Sequence, residues 1–276
     1  LSMLLLTCND ALAKYLTQSY PVLQVLWLRA IGFCIFTLLL IWRRRGGLRT
    51  VLRSQRPGLQ LLRAGSMVLQ MAVVMVSFWL LPLAEVTALL SAAPLVVAAL
   101  AAPLLGERVG WHRWTGVLVG FCGVLLIVRP GGDLFGWPAL LPLAGATLWG
   151  LYQIQVRIVS RHDSSDTTLL YTGLVVLAAF TVVAPWHWVD PAPLDWLWLL
   201  LLGLINSGAH YCMIDALGRA PASLLQPFVY SGIVWAALLG WLLFDDLPDG
   251  PSIAGMLLVA AGGLYVMYRE RRTAAL

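Results

Sequence analysis

The sequence predicts an all-α integral membrane protein of ten transmembrane helices, arranged as two inverted five-helix repeats around a central cavity. Three observations carry this expectation. The chain is 60% hydrophobic and only 11% charged, against about 25% charged residues in an ordinary soluble domain. Apolar runs of about 20 residues recur along its length, enough for a helix to cross the hydrocarbon. The second half of the chain repeats the first with opposite charge flanks. A soluble helical protein of this size would need polar stripes that these segments lack.

The spans are taken in order as 1–18, 21–42, 58–81, 84–105, 111–129, 136–159, 167–186, 194–217, 221–244 and 251–268. Leu4–Leu6 opens the first, where neither a basic lead nor an A-x-A site marks a cleavable signal peptide. The chain begins within this apolar run. Pro21, Pro57, Pro82, Pro138, Pro193, Pro221 and Pro251 stand near span starts, where a missing N–H costs least. The longest connector, Arg43–Pro57, is basic and leaves no room for a soluble domain. Most of the 13 tryptophans sit at span ends (Trp27, Trp42, Trp79, Trp111, Trp114, Trp137, Trp186, Trp188, Trp196 and Trp198), as interfacial anchors do.

Orientation follows from the basic residues. Arg43, Arg44, Arg45, Arg49, Arg53 and Arg56 follow span two. Arg108 and Arg113 follow span four, Arg161 span six, Arg219 span eight, and Arg269, Arg271 and Arg272 span ten. The opposite loops carry Glu85, Asp133, Asp190, Asp195, Asp245, Asp246 and Asp249. Both termini of this multi-pass membrane protein are therefore expected in the cytoplasm. The net charge of +5 and pI near 9.3 report this bias and an affinity for anionic headgroups, so the bilayer is the expected partner and nucleic acid is not.

The repeat aligns Leu83-Ala84-Glu85-Val86-Thr87 through Leu105-Gly106-Glu107 with Pro221-Ala222-Ser223-Leu224-Leu225 through Leu243-Phe244-Asp245. One inserted residue later, Thr115-Gly116 and Gly123 fall on Ala254-Gly255 and Gly262. Residues 1–133 and 134–276 form the two copies. Five spans per copy make tandem copies antiparallel, the pattern of a secondary transporter with its site between the repeats. Gly116, Gly120 and Gly123, and Gly255 and Gly262, make small-residue faces suited to close packing within a monomer, with a homodimer as the lesser use.

These residues resemble the drug/metabolite transporter superfamily, specifically its ten-helix EamA type, over nearly the whole chain. The carriers are Leu105-Gly106-Glu107-Arg108, Gly116-x6-Gly123, and the echo Phe244-Asp245-Asp246 with Gly255-x6-Gly262. Arg29-Ala30 and Trp149-Gly150 also fit. Span one departs from the usual Trp-Gly start, reading Cys8-Asn9-Asp10-Ala11. The aromatic-rich interior is similar to bacterial exporters of aromatic and other amino acids. That resemblance implies a basket of spans one, three, four, six, eight and nine around one cavity, braced by two, five, seven and ten. It implies a small-molecule substrate exported by alternating access and no cofactor. Export of other organic solutes or aromatic cations, a channel, and a lipid scramblase are the alternatives.

Polar residues inside the bilayer need a reason, because an ionisable group at its centre costs about 2.5–3.5 kcal/mol. Asp10 and Lys14 are one turn apart and form either a self-neutralising pair or a coupling element. Arg29 either snorkels outward or pairs with Glu85. Asn206 and His210 share a face of span eight, where the histidine either carries a proton or makes one neutral hydrogen bond. Asp215 and Arg219 read as a terminal ion pair. Trp149 and Gln153 in span six, and Gln226 and Tyr230 in span nine, repeat the one-turn spacing. With Asn9, Gln70, Ser77 and Ser91 they supply the amides, hydroxyls and rings of a cavity for a zwitterion or aromatic ring. Pro94 and Pro227, inside the matched spans four and nine, are the hinge candidates. They are not at aligned positions, which predicts bends at different depths in the two copies.

Cys8, Cys34, Cys122 and Cys212 lie in apolar spans without CxxC spacing, arguing against a disulfide framework or a metal site. No nucleophile elbow, HExxH, P-loop or dinucleotide fingerprint is present, so no enzyme is expected.

Overall fold

The computed structural model describes residues 1–43, 48–80, 89–90, 92–106, 110–128, 137–244 and 250–274. Among these the chain is helical: α1 Ser2–Thr17, α2 Val22–Arg43, α3 Leu48–Leu52, α4 Pro57–Leu80, α5 Ala93–Leu105, α6 Trp111–Val128, α7 Leu140–Val159, α8 Ser165–Val183, α9 Asp195–Arg219, α10 Ala222–Val229, α11 Ser231–Phe244 and α12 Gly250–Ala274. Four stretches, Val22–Arg43, Pro57–Ser77, Ser165–Val183 and Asp195–Arg219, are long and apolar enough to cross a membrane. Local signals set several ends. Pro57 opens α4 as its first residue. The Ser164 hydroxyl accepts from the Thr167 N–H at 3.1 Å and caps α8, with Asp166 in the first turn favouring the dipole. Gly106 closes α5 at φ 68°, a left-handed position that costs glycine nothing.

The chain divides into two compact units. One comprises Leu1–Val68 and Ile158–Arg219, the other Leu69–Arg157 and Ala220–Leu276. Helix α4 contributes its first half to one unit and its second half to the other.

In the first unit α1, α2, α8 and α9 pack together. The α2–α9 crossing is backbone on backbone. A Cβ at Gly32 would stand 2.9 Å from the Cα of Gly203, and one at Gly203 only 2.5 Å from the Cα of Gly32. Polar ties close the ends. Gln24 is fully buried and pairs through both amide atoms with Val189, donating to its oxygen at 2.6 Å and accepting from its N–H at 2.9 Å. The Tyr20 hydroxyl donates to Asp195 Oδ2 at 2.6 Å and accepts from the Ala192 N–H at 3.0 Å. The basic connector is not wholly irregular: α3 lies within it and packs on α8.

In the second unit α6 and α12 make the broadest contact. A Cβ at Gly123 would sit 2.7 Å from the Gly255 oxygen, and one at Gly262 2.9 Å from the Gly116 oxygen. Residue numbers rise along one helix as they fall along the other, so the two run antiparallel, glycine face to glycine face. Gly120 instead makes room for the ring of Tyr230, 2.5 Å from where its Cβ would be.

Among the described residues, spans four and nine each carry a turn. Span nine ends α10 at Val229, turns at Tyr230 and resumes as α11 at Ser231. Span four is helical at 89–90, turns at Ala92 and resumes as α5 at Ala93. Residues 81–88 and 91 lie outside the described set. The sequence alignment of the two halves sets Ala92 opposite Tyr230. Pro94 lies in the first turn of α5, where Leu95 and Val96 donate to Ala92 and the ring displaces no helical bond. Pro227 lies one turn before the break, and its missing N–H weakens the helix entering it.

Candidate functional site

The polar residues singled out in the sequence fall into sets within each unit. In the second unit Gln226, fully buried, donates from Nε2 to Gln153 Oε1 at 3.1 Å and to the Ala222 oxygen at 3.0 Å. The Oε1 of Gln226 has no hydrogen-bond partner among the described residues. One turn before Gln153 on α7, Trp149 is half-buried and stacks on the fully buried Tyr152, with centroids 5.3 Å apart and planes at 15°. Gly150 brings α7 against Val96 of α5, with 2.9 Å left for a Cβ. Ring and amide thus project together from α7, and α10 supplies an open acceptor. An edge that carries both donor and acceptor atoms can engage such amides bidentately while its ring stacks.

Three other expected residues of that unit are described. Tyr230 is 2% exposed in a cluster with Val117, Val124 and Val259. Ser77, fully buried, bonds back to the Val73 oxygen at 2.8 Å. Gln70 is half-buried. Ser91 lies outside the described residues.

In the first unit the buried Asn9 donates to the Leu202 oxygen of α9 at 2.8 Å. Asn206 and His210 are both buried on α9, and the His210 ring meets Phe33 edge-on at 5.8 Å. Ser207 between them bonds the Gly203 oxygen at 2.8 Å and the Phe33 oxygen at 3.3 Å. Arg29 neither snorkels outward nor is seen with Glu85, which lies outside the described residues. It turns toward α1, and its Nη1 approaches Asn9 Oδ1 at 3.4 Å. Asp215 and Arg219 form the expected ion pair at 2.8 Å.

One polar assembly went unread in the sequence. Arg63 is fully buried, about 9 Å inside α4 from Pro57. Its guanidinium donates to Gln60 Oε1 at 3.0 and 3.2 Å, to the Thr168 oxygen at 2.8 Å and to the Thr172 hydroxyl at 2.8 Å. Gln60 passes the contact on, donating to Asp163 Oδ2 at 2.9 Å. The Ser54 hydroxyl and the Gln55 N–H also donate to that carboxylate, the latter at 2.8 Å. Burial opposes the charge of Asp163, but these three donors and the neighbouring His162 outweigh it and hold the carboxyl below its usual range. The signal in the sequence is the one-turn spacing of Gln60 and Arg63.

The profile of the EamA-like transporter family matches residues 1–129 and again 136–268. The riboflavin transporter of Vibrio cholerae is 30% identical over 233 residues, 82% of this chain and 76% of that protein. The S-adenosylmethionine uptake transporter of Rickettsia prowazekii is 23% identical over 274 residues, 99% of this chain and 92% of that protein. A crystal structure sharing 22% sequence identity matches with a TM-score of 0.83, covering 99% of this chain and 96% of its own, and so shares the fold. Both relatives carry small organic molecules, and the chain belongs to the EamA-like transporter family.

Proposed function

We propose that this protein is an inner-membrane secondary transporter for a small metabolite bearing a planar heteroaromatic ring, moved by alternating access. The observation that carries the substrate class is the Trp149–Tyr152 stack beside the Gln153–Gln226 amide pair, with the Gln226 Oε1 acceptor unfilled. The names of two relatives, riboflavin and S-adenosylmethionine transporters, point the same way, since both molecules join a fused nitrogen ring to a polar tail. Export of aromatic amino acids, expected from the resemblance, is the narrower case of the same ring-and-amide chemistry. The two inverted copies, residues 1–133 and 134–276, belong to this reading. The antiparallel glycine contact of α6 with α12 and the matched breaks at Ala92 and Tyr230 support it. On this reading both termini lie in the cytoplasm, which the basic loops support.

Flux in proteoliposomes tests the substrate class. Riboflavin, S-adenosylmethionine, tryptophan and leucine are compared in the wild type and in Trp149→Ala. Removing the ring should weaken transport of the ring-bearing solutes about tenfold, the scale of one lost stacking contact, and leave leucine unaffected. Leucine moving as well as the ring-bearing solutes in the wild type, or an equal loss for all four, would sink this reading.

Movement is assigned to the interrupted helices. Pro227→Ala restores an N–H one turn before the Tyr230 break and should slow riboflavin exchange several-fold, with binding retained. Pro94→Ala, in the first turn of α5, should change it little. Equal rates in wild type and Pro227→Ala would leave the α10–α11 break without a part in gating.

A further inference from the structure

The tryptophans at one end of the first unit are not arranged as simple interfacial anchors. Trp27 of α2, Trp188 in the loop before α9 and Trp196 in the first turn of α9 form a contiguous run of rings. Trp27 and Trp188 stand 6.0 Å apart between centroids with their planes at 82°, and Trp188 and Trp196 stand 6.2 Å apart at 43°. An anchor tryptophan turns its N–H toward headgroups and water. Here the Trp27 N–H donates to the Thr181 hydroxyl at 3.0 Å, and the Trp188 N–H to Asp190 Oδ1 at 2.7 Å. With those edges tied to protein, the rings present their faces. Trp188 is 39% exposed and Trp196 46%.

The loop that carries Trp188 is fixed on both sides. Gln24 pairs with the N–H and the oxygen of Val189, and the Tyr20 hydroxyl joins the Ala192 N–H to Asp195. Pro185, Pro191 and Pro193 restrict its backbone further. Rings held in place beforehand lose little freedom when a ligand arrives. The charge of the loop is one-sided: residues 184–196 include Asp190 and Asp195 and no lysine or arginine. Asp190 lies at the Trp188 edge, and Asp195 directly precedes Trp196. Ring faces that meet near a right angle beside carboxylates suit an organic ammonium group, which the negative face of an indole attracts. Next along α9, Leu197 and Leu200 are apolar and exposed, the surface that acyl chains cover. Tryptophans at span ends sit at headgroup depth, where a lipid presents its ammonium. We propose that Trp27, Trp188 and Trp196 bind the ammonium of a phospholipid headgroup whose chains run along α9 past Leu197 and Leu200.

Native mass spectrometry of the full chain in detergent, titrated with single lipids, tests this. The probes are a phosphatidylethanolamine, the same lipid N-acetylated so that the headgroup loses its cation, and a phosphatidylglycerol. The wild type should bind the ethanolamine lipid about fivefold more tightly than the other two, the scale of one exposed cation–π contact. Trp188→Leu and Trp196→Leu should each abolish that preference. Asp190→Asn keeps an acceptor for the Trp188 N–H but removes the charge, and should lower the preference without disturbing the rings, so it reads the site even where a ring variant unfolds. Trp186→Leu is the control. It removes an 81% exposed tryptophan of the same loop, whose N–H bonds back to the Val182 oxygen at 3.0 Å, and should leave the preference intact. Equal binding of the three lipids by the wild type would overturn the proposal. So would a preference unchanged in Trp188→Leu, Trp196→Leu and Asp190→Asn, or one lost equally in Trp186→Leu. Free choline displacing the ethanolamine lipid at comparable concentration would give the rings to a soluble cation and overturn the lipid assignment.

Discussion

Gly203→Ala should destabilise the protein by about 3 kcal/mol, at the upper end of what an overpacked core site costs. The added Cβ would meet the Gly32 Cα at 2.5 Å and the Arg29 oxygen at 3.0 Å. Both are backbone atoms, so no side-chain rotation relieves the clash, and α2 and α9 must separate. Separation also strains the Ser207 bond to the Phe33 oxygen, which crosses the same interface. Gly208→Ala on the same helix is the control. Its Cβ would find the Leu5 Cδ1 at an ordinary 3.9 Å, and the gain in helix propensity, about 1 kcal/mol, favours it. Unfolding in mixed detergent should separate the two variants clearly. If they prove equally stable, the crossing is looser than the geometry implies.

Arg63→Leu should cost about 3–5 kcal/mol, the penalty for removing one member of a buried, hydrogen-bonded charged assembly. The substitution leaves Gln60 Oε1 and the Thr168 oxygen without their guanidinium donors. It also removes the bonds by which Arg63 ties α4 to Thr168 and Thr172 of α8. Arg63→Lys restores the charge but not the planar fork that engages three groups together, so it should recover less than half of the loss. A pH dependence accompanies this assembly. The carboxyl of Asp163 is held below its usual range in the folded protein. Its contribution is therefore complete above the unfolded carboxyl value, about 3.9, and is lost as pH falls through the lower folded value. Unfolding midpoints followed from neutral to acidic pH should show a decline below about pH 4 that Asp163→Asn lacks. The same decline in both proteins would remove Asp163 from the explanation.

Much of the fold could be read from periodicity and punctuation. Pro57, Pro221 and Gly106 stand where elements begin or end, and the glycines of spans five and ten meet face to face as their spacing indicated. What escaped were features set by a partner distant in sequence. Gly32 and Gly203 belong to no repeated small-residue face, and each is explained only by the other, on a helix far along the chain. Arg63 went unread, because an arginine near a span end ordinarily reaches for water. Thr168 and Thr172 of α8 give it partners inside instead. The turns at Ala92 and Tyr230 do not fall on the prolines: Pro94 follows the first and Pro227 precedes the second. The site residues divide similarly. The Gln153–Gln226 contact joins two pairs recognised from one-turn spacing, whereas Tyr230 was claimed by packing against Gly120.

The contact between α6 and α12 bears on how such a chain could have arisen. Gly116 meets Gly262, and Gly123 meets Gly255, while the sequence alignment of the two halves pairs Gly116 with Gly255 and Gly123 with Gly262. Each glycine therefore touches the counterpart of its neighbour. Were the two helices on separate polypeptides, this would be an isologous contact, one patch meeting itself about a two-fold axis. Held on one chain, the same geometry forms without the entropy of bringing two molecules together, so the contact does not depend on concentration. It also uses up the surface. Because these glycine faces are already joined to each other, a second copy of the protein finds no glycine patch there to dock against, and any self-association must begin elsewhere on the molecule.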